Sequence, residues 1–425
     1  MEAPAGHHPV SIALQTSAAP VAAPLVASAP KILFYSHDTF GLGNIRRTLL
    51  LSQALAEEYP RAAMLVVTGS PMIHAFRIPE NLDYIKLPCL DRTDADCYKP
   101  KFLAAQSSEV DRIRRAILVE TVIGFKPDLM IVDKRPGGVA GELLDALRAL
   151  RRRPTATRLV LGMRDILDEP QRTRRSLRRT HDMATIARYY DEVWIYGEHT
   201  IFDPVVEYAF RDDVARKTCF CGYLRRPSPV ATAHDGPPHA LVTTGGGADG
   251  APLITAYLEG LSTLPRGIQL RTTVVFGPQV DEGSRRTILQ RFGSLADVEF
   301  IDFEPDLTAH YERADVIVSM AGYNTVCELL SFRRPAVLVP RGNPVSEQLL
   351  RARLFAARGY FACVEPQDLT PEVLIAKVLE TLKRPAAVPP IDLDGLPRIR
   401  ERVRCLLAAR DETPRAARTE RRVPA

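Results

Sequence analysis

The chain has 425 residues, of which 46% are hydrophobic and 25% charged, and its formal net charge is +5. This length exceeds one typical domain, so we expect two or three, and the composition is typical of globular rather than disordered proteins. No run of eighteen apolar residues is present to span a bilayer.

The N-terminal segment, residues 1–30, is rich in alanine and proline and contains no lysine or arginine. A secretory signal needs a basic start and an uninterrupted apolar stretch, whereas Pro20 and Pro24 interrupt this one. We therefore predict a disordered leader over residues 1–30 and a cytoplasmic protein. The seven cysteines lack the spacing of a metal site or a disulfide framework, which indicates reduced thiols.

A glycine-rich loop lies between the first predicted strand and the first predicted helix. KILFYS, residues 31–36, predicts a short buried strand, and residues 44–58 have helical periodicity. Gly41 and Gly43 would let backbone N–H groups approach an anionic ligand at the start of this helix. The dinucleotide fingerprint is excluded, because Arg46 stands where its third small residue is needed. The chain has no P-loop motif either, so a turn that only packs is the alternative.

Strands and helices alternate through the first half of the chain. Further strands are predicted at AAMLVV, LDYIKL, DLMIVD, TRLVLGM and DEVWIYG, with helices at residues 108–125 and 137–153 between some of them. This alternation is typical of a parallel, doubly wound sheet that helices cover on both faces. We therefore predict one Rossmann-like α/β domain over residues 31–222.

Four prolines in residues 223–238 predict a linker, because proline removes a backbone donor and breaks helices. The alternation resumes over residues 239–384 with strands at HALVTTGGG, LRTTVVFG, VEFIDF, ADVIVSM, RPAVLVP and GYFACVE. Residues 385–425 would form a last helix, able to dock onto either domain, and a basic tail. Two such domains would enclose a cleft at the carboxyl ends of both sheets, where ligands bind.

Two basic stretches raise the question of polyanionic partners. From Leu396 onward there are nine arginines against four acidic residues, and this difference equals the net charge of the whole chain. Arg172, Arg175 and Arg179 share one helical face in RDILDEPQRTRRSLRRT. Solvated surfaces are the simpler interpretation, and contact with anionic lipid is the alternative. No aromatic residues alternate with these arginines, so nucleic acid is not predicted as a partner.

Two stretches in the second half predict an anion-binding site. TTGGGADG, residues 243–250, follows a strand and precedes a helix, which presents backbone amides suited to a pyrophosphate. In ADVIVSMAGYNTVCELL, Gly322 allows a turn after the strand, and Asn324 or Thr325 can cap the next helix. Glu328 lies one turn into that helix, where its carboxylate could accept hydrogen bonds from a ribose diol. A plain surface glutamate is the alternative.

The string SMAGYNTVCELLSFRRPAVLVPRGNPVSEQLLRARLF, with residues 245–247 and GLGN in the opening loop, resembles family 28 of the GT-B glycosyltransferases. FYSHDTFGLGNIRR, IVDKRPGGVAGEL and SMAGYNTVCELL are similar to a bacterial group of predicted glycosyltransferases. The resemblance covers residues 31–383 and is strongest in the C-terminal third. It implies the GT-B fold, in which two Rossmann-like domains face a central cleft, with the acceptor on the N-terminal side and the nucleotide sugar on the C-terminal domain.

The resemblance also implies a donor site. Glu328 would bind the ribose hydroxyls, and Glu347 with Gln348 would read hydroxyls of the transferred sugar, unless this pair only caps a helix. Backbone amides replace a metal in many GT-B enzymes, so neither a metal nor a cofactor is expected. The donor-binding residues implied in this way are Gly245, Gly246, Gly247, Ser319, Ala321, Gly322, Asn324, Glu328, Glu347 and Gln348.

In the resembling enzymes the opening loop contributes to the diphosphate and acceptor side, which implies roles for Gly41, Gly43, Asn44 and Arg46. Family 28 usually places a histidine after these glycines, whereas Asn44 carries an amide that cannot take a proton at neutral pH. An inverting transfer needs a base to deprotonate the acceptor hydroxyl. Three candidates for this base stand at the carboxyl ends of predicted strands: His37, Asp38 and Asp133.

We predict a glycosyltransferase that moves a hexosyl group from a UDP-sugar to an unidentified acceptor, lipid-linked or a polysaccharide, with inversion and without a catalytic metal. Peripheral contact with the inner membrane surface follows only by analogy with the family. Two alternatives remain. One is a GT-B-fold UDP-sugar epimerase, which would convert the donor unaided. The other is a catalytically inactive protein that keeps the nucleotide-sugar pocket but has lost its base.

Overall fold

A computed structural model describes residues 29–38, 42–94, 97–103, 107–152, 157–226, 236–247, 249–265, 267–343, 345–384 and 390–419. Nearly all of the predicted leader and most of the predicted linker lie outside these residues, as does Gly41 of the opening loop. The described residues form two parallel sheets covered by helices. The predicted α/β, doubly wound fold class is confirmed.

The N-terminal half contains a seven-stranded parallel sheet. Most of its strands are apolar runs buried on both faces, as expected where helices cover a parallel sheet from both sides. The strands of this half are β1 (Lys31–Ser36), β2 (Ala63–Thr68), β3 (Leu82–Lys86), β4 (Leu90–Asp94), β5 (Cys97–Pro100), β6 (Leu129–Asp133), β7 (Arg158–Arg164), β8 (Glu192–Tyr196) and β9 (Thr218–Phe220). The order across the sheet is β3-β2-β1-β6-β7-β8-β9.

The strands β4 and β5 stand apart from this sheet as an antiparallel hairpin. The sequence analysis did not predict the hairpin, because its segments LDRTD and CYKP are short and polar and lack apolar alternation. Asp91 and Tyr98 from this hairpin line the cleft between the domains. The hairpin therefore adds a wall to the N-terminal side of that cleft.

Among the residues that the structure describes, seven α-helices accompany the N-terminal sheet. They are α1 (Gly43–Glu58), α2 (Ser107–Phe125), α3 (Leu144–Arg151), α4 (Pro170–Arg179), α5 (Asp182–Tyr189), α6 (Pro204–Glu207) and α7 (Asp212–Ala215). The helix predicted over residues 137–153 begins late, because Gly138 and Gly141 have φ angles of 73° and 76°, outside the right-handed helical region. A β-carbon on Gly138 would lie 2.9 Å from the Tyr35 hydroxyl, so this turn requires glycine.

The C-terminal half repeats the architecture with a six-stranded parallel sheet. Its strands are β10 (His239–Thr243), β11 (Arg271–Val275), β12 (Val298–Ile301), β13 (Val316–Ser319), β14 (Ala336–Leu338) and β15 (Ala362–Cys363). Their order, β12-β11-β10-β13-β14-β15, reverses direction between β10 and β13. Ligands bind at the carboxyl ends of the strands beside such a reversal.

In the described part of the C-terminal half there are also seven α-helices, of which the last returns to the N-terminal domain. They are α8 (Ala251–Ser262), α9 (Glu282–Phe292), α10 (Thr308–Arg313), α11 (Tyr323–Phe332), α12 (Glu347–Ala357), α13 (Pro371–Leu382) and α14 (Gly395–Thr419). Arg402 of α14 binds Glu192 of β8 at 2.7 and 2.9 Å, and Arg404 binds Glu58 of α1 at 2.7 Å. Among the helices in the described ranges, none combines the length and apolarity that crossing a bilayer requires.

The chain passes between the two domains twice, and the two crossings lie side by side. Tyr223, after β9, donates its backbone N–H to the carbonyl of Asp392 at 2.8 Å. Leu224 pairs with Asp394 in an isolated antiparallel bridge next to this bond. The segment that leaves the N-terminal domain is therefore bonded to the segment that returns to it.

A buried ion pair joins the two domains beneath the cleft. Arg351 of α12 and Asp165, which follows β7, have side chains that are 0% and 1% exposed. Two of the guanidinium nitrogens bind the two carboxylate oxygens at 2.7 and 3.0 Å, and a third donates to the carbonyl of Ala321 at 2.9 Å. This bidentate geometry satisfies charges that burial would otherwise make very costly.

We expect Arg351→Met to lower the free energy of unfolding by about 3–5 kcal/mol, because it leaves the Asp165 carboxylate buried without its counter-charge. Arg353→Met on the same helix is the matched control. Arg353 pairs with Glu365, but its side chain is 54% exposed, so the loss should stay below about 1 kcal/mol. Chemical denaturation measures both values, and Asp165→Asn combined with Arg351→Met should recover part of the loss. Equal, small losses in the two single variants would contradict a structural role for the buried pair.

Candidate active site

A cleft of about 790 Å³ separates the two domains at the carboxyl ends of their sheets. The N-terminal wall comes from the opening loop with the start of α1, from the β4–β5 hairpin and from α4. The C-terminal wall comes from the loop after β10 and from the starts of α11 and α12. The glycine-rich stretches that the sequence analysis singled out in the two halves therefore face one common space.

The loop after β10 presents main chain to the cleft. Residues 244–247 line the cleft, and the carbonyl of Gly246 accepts the backbone N–H of Gln279 at 2.9 Å, which fixes the loop from behind. Gly247 has a φ angle of 92°, and a β-carbon there would lie 2.7 Å from the carbonyl oxygen of Phe276. Any other residue would therefore strain this turn. The N–H groups of Gly245 and Gly247 donate to the Thr243 hydroxyl and the Thr244 carbonyl at 3.4 and 3.3 Å, so anion binding by this loop stays a prediction.

The start of α11 faces the same space. Gly322 occupies the N-cap position, and no side chain caps the helix, so the prediction that Asn324 or Thr325 would do so is wrong. The amide of Asn324 instead donates to the carbonyl of Gly43 in the opposite domain at 2.8 Å. The first backbone N–H of this turn with a helical partner is that of Val326, so the helix end favours a negative charge.

Glu328, predicted to bind ribose, is 4% exposed and does not belong to the cleft lining. Its carboxylate binds the guanidinium of Arg46 from the opening loop at 2.5 Å and accepts the Tyr311 hydroxyl at 3.0 Å. Arg226 approaches the same carboxylate at 3.7 Å. Two predicted site residues are thus brought together, but they bind each other. A ribose could reach Glu328 only after Arg46 moves away.

Glu347 and Gln348, predicted to read the transferred sugar, both line the cleft at the start of α12. The Glu347 carboxylate pairs with Arg164 of the N-terminal domain and lies 3.9 Å from Arg341. Burial alone would raise the pKa of Glu347, but Arg164, Arg351 and Arg341 outweigh it and hold the pKa below its usual value. Glu347 is therefore an anion fixed at the cleft wall.

Two further residues of the predicted donor site lie behind the lining. Ser319 ends β13 and Ala321 follows it, and both are fully buried. The carbonyl of Ala321 accepts a hydrogen bond from Arg351, so this turn is tied to the interdomain ion pair. Their contribution is to place Gly322, which does line the cleft.

The opening loop is organised by its polar side chains. Asn44 donates to the carbonyl of His37 and accepts a hydrogen bond from Arg47 at 3.0 Å. Gly43, Asn44 and Arg46 line the cleft. Asn44 therefore shapes the opening loop through its own hydrogen bonds.

Of the three candidate bases, both carboxylates are occupied by structural contacts. Asp38 is fully buried, and its oxygens accept the backbone N–H of Ile45 at 3.0 Å and the Thr68 hydroxyl at 2.6 Å. Asp133 binds the buried guanidinium of Arg47 through both oxygens, at 2.6 and 2.8 Å. Neither residue lines the cleft.

His37 is also buried, at 2% exposure, but its side chain reaches a residue of the cleft lining. Its Nε2 lies 3.4 Å from the hydroxyl of Tyr98, which comes from the β4–β5 hairpin. His37 and Asp133 thus each contact a cleft-lining side chain, Tyr98 and Arg47 respectively, but the Asp133 carboxylate is neutralised by its guanidinium partner.

Basic side chains dominate the cleft lining within the described residues. The sequence predicts the arginine face of α4, for which a solvated surface is the simpler interpretation. It carries no local signal for Arg164 or Arg341, which act through distant partners. No group of three or more His, Cys, Asp or Glu side chains in the described ranges is arranged to hold a metal ion. Nine basic residues line the cleft against four acidic ones: Arg46, Arg47, Lys134, Arg135, Arg164, Arg172, Arg175, Arg179 and Arg341 against Asp91, Asp168, Asp249 and Glu347.

The architecture is shared with known nucleotide-sugar proteins. The structure of MurG from Acinetobacter baumannii aligns over 89% of this chain and 99% of its own length, with a TM-score of 0.54 at 16% identity. A UDP-N-acetylglucosamine 2-epimerase aligns over 88% of this chain and 95% of its own, with a TM-score of 0.53 at 11% identity. At these identities the likeness establishes the fold alone. The chain has the GT-B fold.

The C-terminal domain carries a more specific relationship. Residues 240–390 match the glycosyltransferase family 28 C-terminal domain. Over 151 residues the chain is 30% identical to the UDP-N-acetylglucosamine--N-acetylmuramyl-(pentapeptide) pyrophosphoryl-undecaprenol N-acetylglucosamine transferase of Haemophilus influenzae, a match that covers 35% of this chain and 41% of that enzyme. The chain thus spans less than half the length of this relative. The likeness to family 28 is therefore carried by residues 240–390.

Because the Asp38 carboxyl is buried, we expect the free energy of unfolding to depend on pH. Burial raises the pKa of Asp38 from 3.8 to about 6, against the opposing hydrogen bonds from Ser36 and Thr68. The folded protein then holds this proton more tightly than the unfolded chain, so its free energy of unfolding falls as pH rises from 4 to 6. Asp38→Asn stays neutral, so we expect its stability relative to the wild type to rise by about 2 kcal/mol between pH 4 and pH 7.

Denaturant unfolding followed by fluorescence of the single tryptophan, Trp194, which is buried in the N-terminal sheet, measures this difference. Glu80→Gln, at an exposed position, is the control and should show a constant difference from the wild type. A constant difference for Asp38→Asn as well would show that folding does not change the pKa of Asp38, which would contradict the prediction.

Proposed function

We propose that the chain is a glycosyltransferase that transfers a hexosyl group from a UDP-sugar to an acceptor, with inversion and without a catalytic metal. The observation that carries this proposal is the meeting of the 244–247 loop and the uncapped start of α11 in one basic cleft. The family 28 domain over residues 240–390 supports it, as does the UDP-N-acetylglucosamine named for the Haemophilus relative.

In this proposal the diphosphate binds the backbone N–H groups of the glycine loop and of the α11 start, both of which favour anions. The ribose hydroxyls donate to the Glu328 carboxylate and displace Arg46 from it. The guanidinium of Arg46, which lines the cleft, can then turn toward the leaving diphosphate. The transferred sugar binds Glu347 and Gln348. Each step uses a group that the free structure already holds at the cleft or directly behind it.

The transfer step joins the acceptor oxygen to the anomeric carbon while the bond from that carbon to the β-phosphate oxygen breaks. A base takes the acceptor proton, and UDP leaves with the electron pair. Of the three candidates, we assign this role to His37, because its Nε2 lies beside the cleft-lining Tyr98. Asp38 instead binds Ile45 and Thr68 behind the lining, and both oxygens of Asp133 are occupied by the Arg47 guanidinium. The acceptor binds on the N-terminal side, and a lipid-linked acceptor would bring the chain to the anionic inner surface of the membrane.

Gly322→Ala tests the donor site. The new β-carbon would meet the Thr325 hydroxyl at 3.8 Å, an ordinary contact, so the free protein should keep its melting temperature. UDP and UDP-sugars should raise the melting temperature of the wild type in proportion to binding, and this shift should be lost in the variant because the methyl group occupies the anion's place. Gly124→Ala, at a position open to solvent in α2, is the control and should keep the shift. An unchanged shift in Gly322→Ala would contradict the proposed diphosphate position.

His37→Gln tests the assigned base. We expect an unchanged UDP-dependent melting shift but a roughly 10²–10⁴-fold slower release of UDP in the presence of acceptor, because only proton removal is lost. Asp38→Asn is the control and should release UDP at close to the wild-type rate. Wild-type-like release in His37→Gln would contradict the assignment. Conversion of the UDP-sugar to its epimer without any acceptor would overturn the transferase proposal in favour of an epimerase.

A further inference from the structure

Lys134 combines a place in the cleft with an unusual backbone conformation. It directly follows β6, lines the cleft and has a φ angle of 70°, in the left-handed region that residues with side chains rarely adopt. Six residues other than glycine have a positive φ angle in the described part of the chain, and of these Lys134 alone belongs to the cleft lining. Backbone strain of this kind clusters at binding and catalytic sites, so the Lys134 side chain is a candidate for a function.

Hydrogen bonds hold the strained turn in place. The backbone N–H of Arg135 donates to the carbonyl of Asp133 at 2.9 Å, which closes a three-residue turn centred on Lys134. The backbone N–H of Lys134 donates to the carbonyl of Gly162 in β7 at 2.7 Å. Arg47 binds both oxygens of the Asp133 side chain. The fold therefore fixes the position from which the Lys134 side chain extends.

Lys134 stands beside His37, the base assigned above. The strands β1 and β6 pair in parallel, and His37 and Lys134 are the first residues after these two strands. His37 is also the centre of a three-residue turn, which the backbone N–H of Asp38 closes by donating to the carbonyl of Ser36 at 2.7 Å. Because neighbouring strands lie about 4.8 Å apart, the two turns place their central residues side by side at the edge of the sheet.

The charge of Lys134 also acts on the opposite wall of the cleft. Glu347, proposed to bind the transferred sugar, lines the C-terminal side. Burial raises the pKa of Glu347, but Arg164, Lys134 and two further arginines outweigh it and hold the pKa below its usual value. Lys134 thus adjoins the assigned base in the sheet and acts on the residue proposed to hold the sugar.

We infer that Lys134 is a further catalytic residue of the transfer, whose ammonium donates a hydrogen bond to the attacking oxygen of the acceptor. The inference rests on the transferase function proposed above. As the acceptor proton passes to Nε2 of His37, this oxygen gains negative charge and bonds to the anomeric carbon, while UDP leaves with the electron pair of the broken bond. Lys134 stays protonated and stabilises the developing charge. An ammonium has three N–H donors, so it can keep protein partners and still donate to this oxygen.

Lys134→Gly tests the inference, because it removes the ammonium while glycine adopts a positive φ angle without strain. We expect a melting temperature at or above that of the wild type and an unchanged UDP-dependent melting shift, since the diphosphate site lies on the other domain. Release of UDP from a UDP-sugar, with water as the acceptor, should slow roughly 10²–10³-fold. The donor is whichever of UDP-glucose, UDP-galactose and UDP-N-acetylglucosamine gives the largest melting shift in the wild type.

Lys126→Gly is the matched control. Lys126 follows α2 with a φ angle of 55°, but its side chain is exposed and lies outside the cleft lining. This variant should also melt at or above the wild-type temperature, and it should release UDP at the wild-type rate. A fall in melting temperature in Lys134→Gly alone would show a structural role and would overturn the inference.

Added ethylammonium should restore part of the rate in Lys134→Gly, because a small cation can enter the space left by the side chain and supply the lost donor. Tetramethylammonium carries the same charge without N–H groups and should not restore it. Equal rescue by both cations would overturn the assigned hydrogen bond. An unchanged rate in Lys134→Gly with a normal melting shift would contradict this inference alone. No melting shift of the wild type with any of the three UDP-sugars would instead contradict the proposed function.

Discussion

The buried contact between Arg351 and Asp165 is the interaction on which the site depends. It joins α12 of one domain to the end of β7 in the other, and through the carbonyl of Ala321 it also fixes the turn that precedes α11. The position of the α11 start relative to the N-terminal wall follows from this one guanidinium. Such a pair gains little over apolar packing in stability but is specific in geometry, which is what a cleft between two domains requires.

Polar groups of the free cleft bind one another across it. Arg46 binds Glu328, Arg164 binds Glu347, and Asn324 donates to the opening loop, each pair linking the two domains. Buried or half-buried polar groups need partners, and here the opposite wall supplies them. The groups proposed to recognise the donor therefore also hold the domains together, and ligand binding would exchange one set of contacts for another.

The two sheets could be predicted from the sequence, because buried parallel strands are apolar runs and glycine-rich turns mark the ends of several of them. It missed the β4–β5 hairpin, whose polar segments carry no apolar pattern. It also could not predict that Asp133 is held by Arg47 or that Arg46 reaches Glu328, 282 residues away. Local patterns reveal where a chain turns toward a ligand, whereas ion pairs between distant residues depend on the tertiary arrangement.

The side-by-side crossings at Tyr223 and Asp392 limit how the cleft can open. Two adjacent strands that pass between the same bodies act as one hinge line, because backbone bonds between them resist both sliding and twisting. Motion of the domains would then be a rotation about this line. Contacts far from this line would separate first, whereas Glu328, which lies 3.7 Å from Arg226 just beyond Leu224, would move least. Entry of a nucleotide sugar would follow the same order, from the outer edge of the cleft inward.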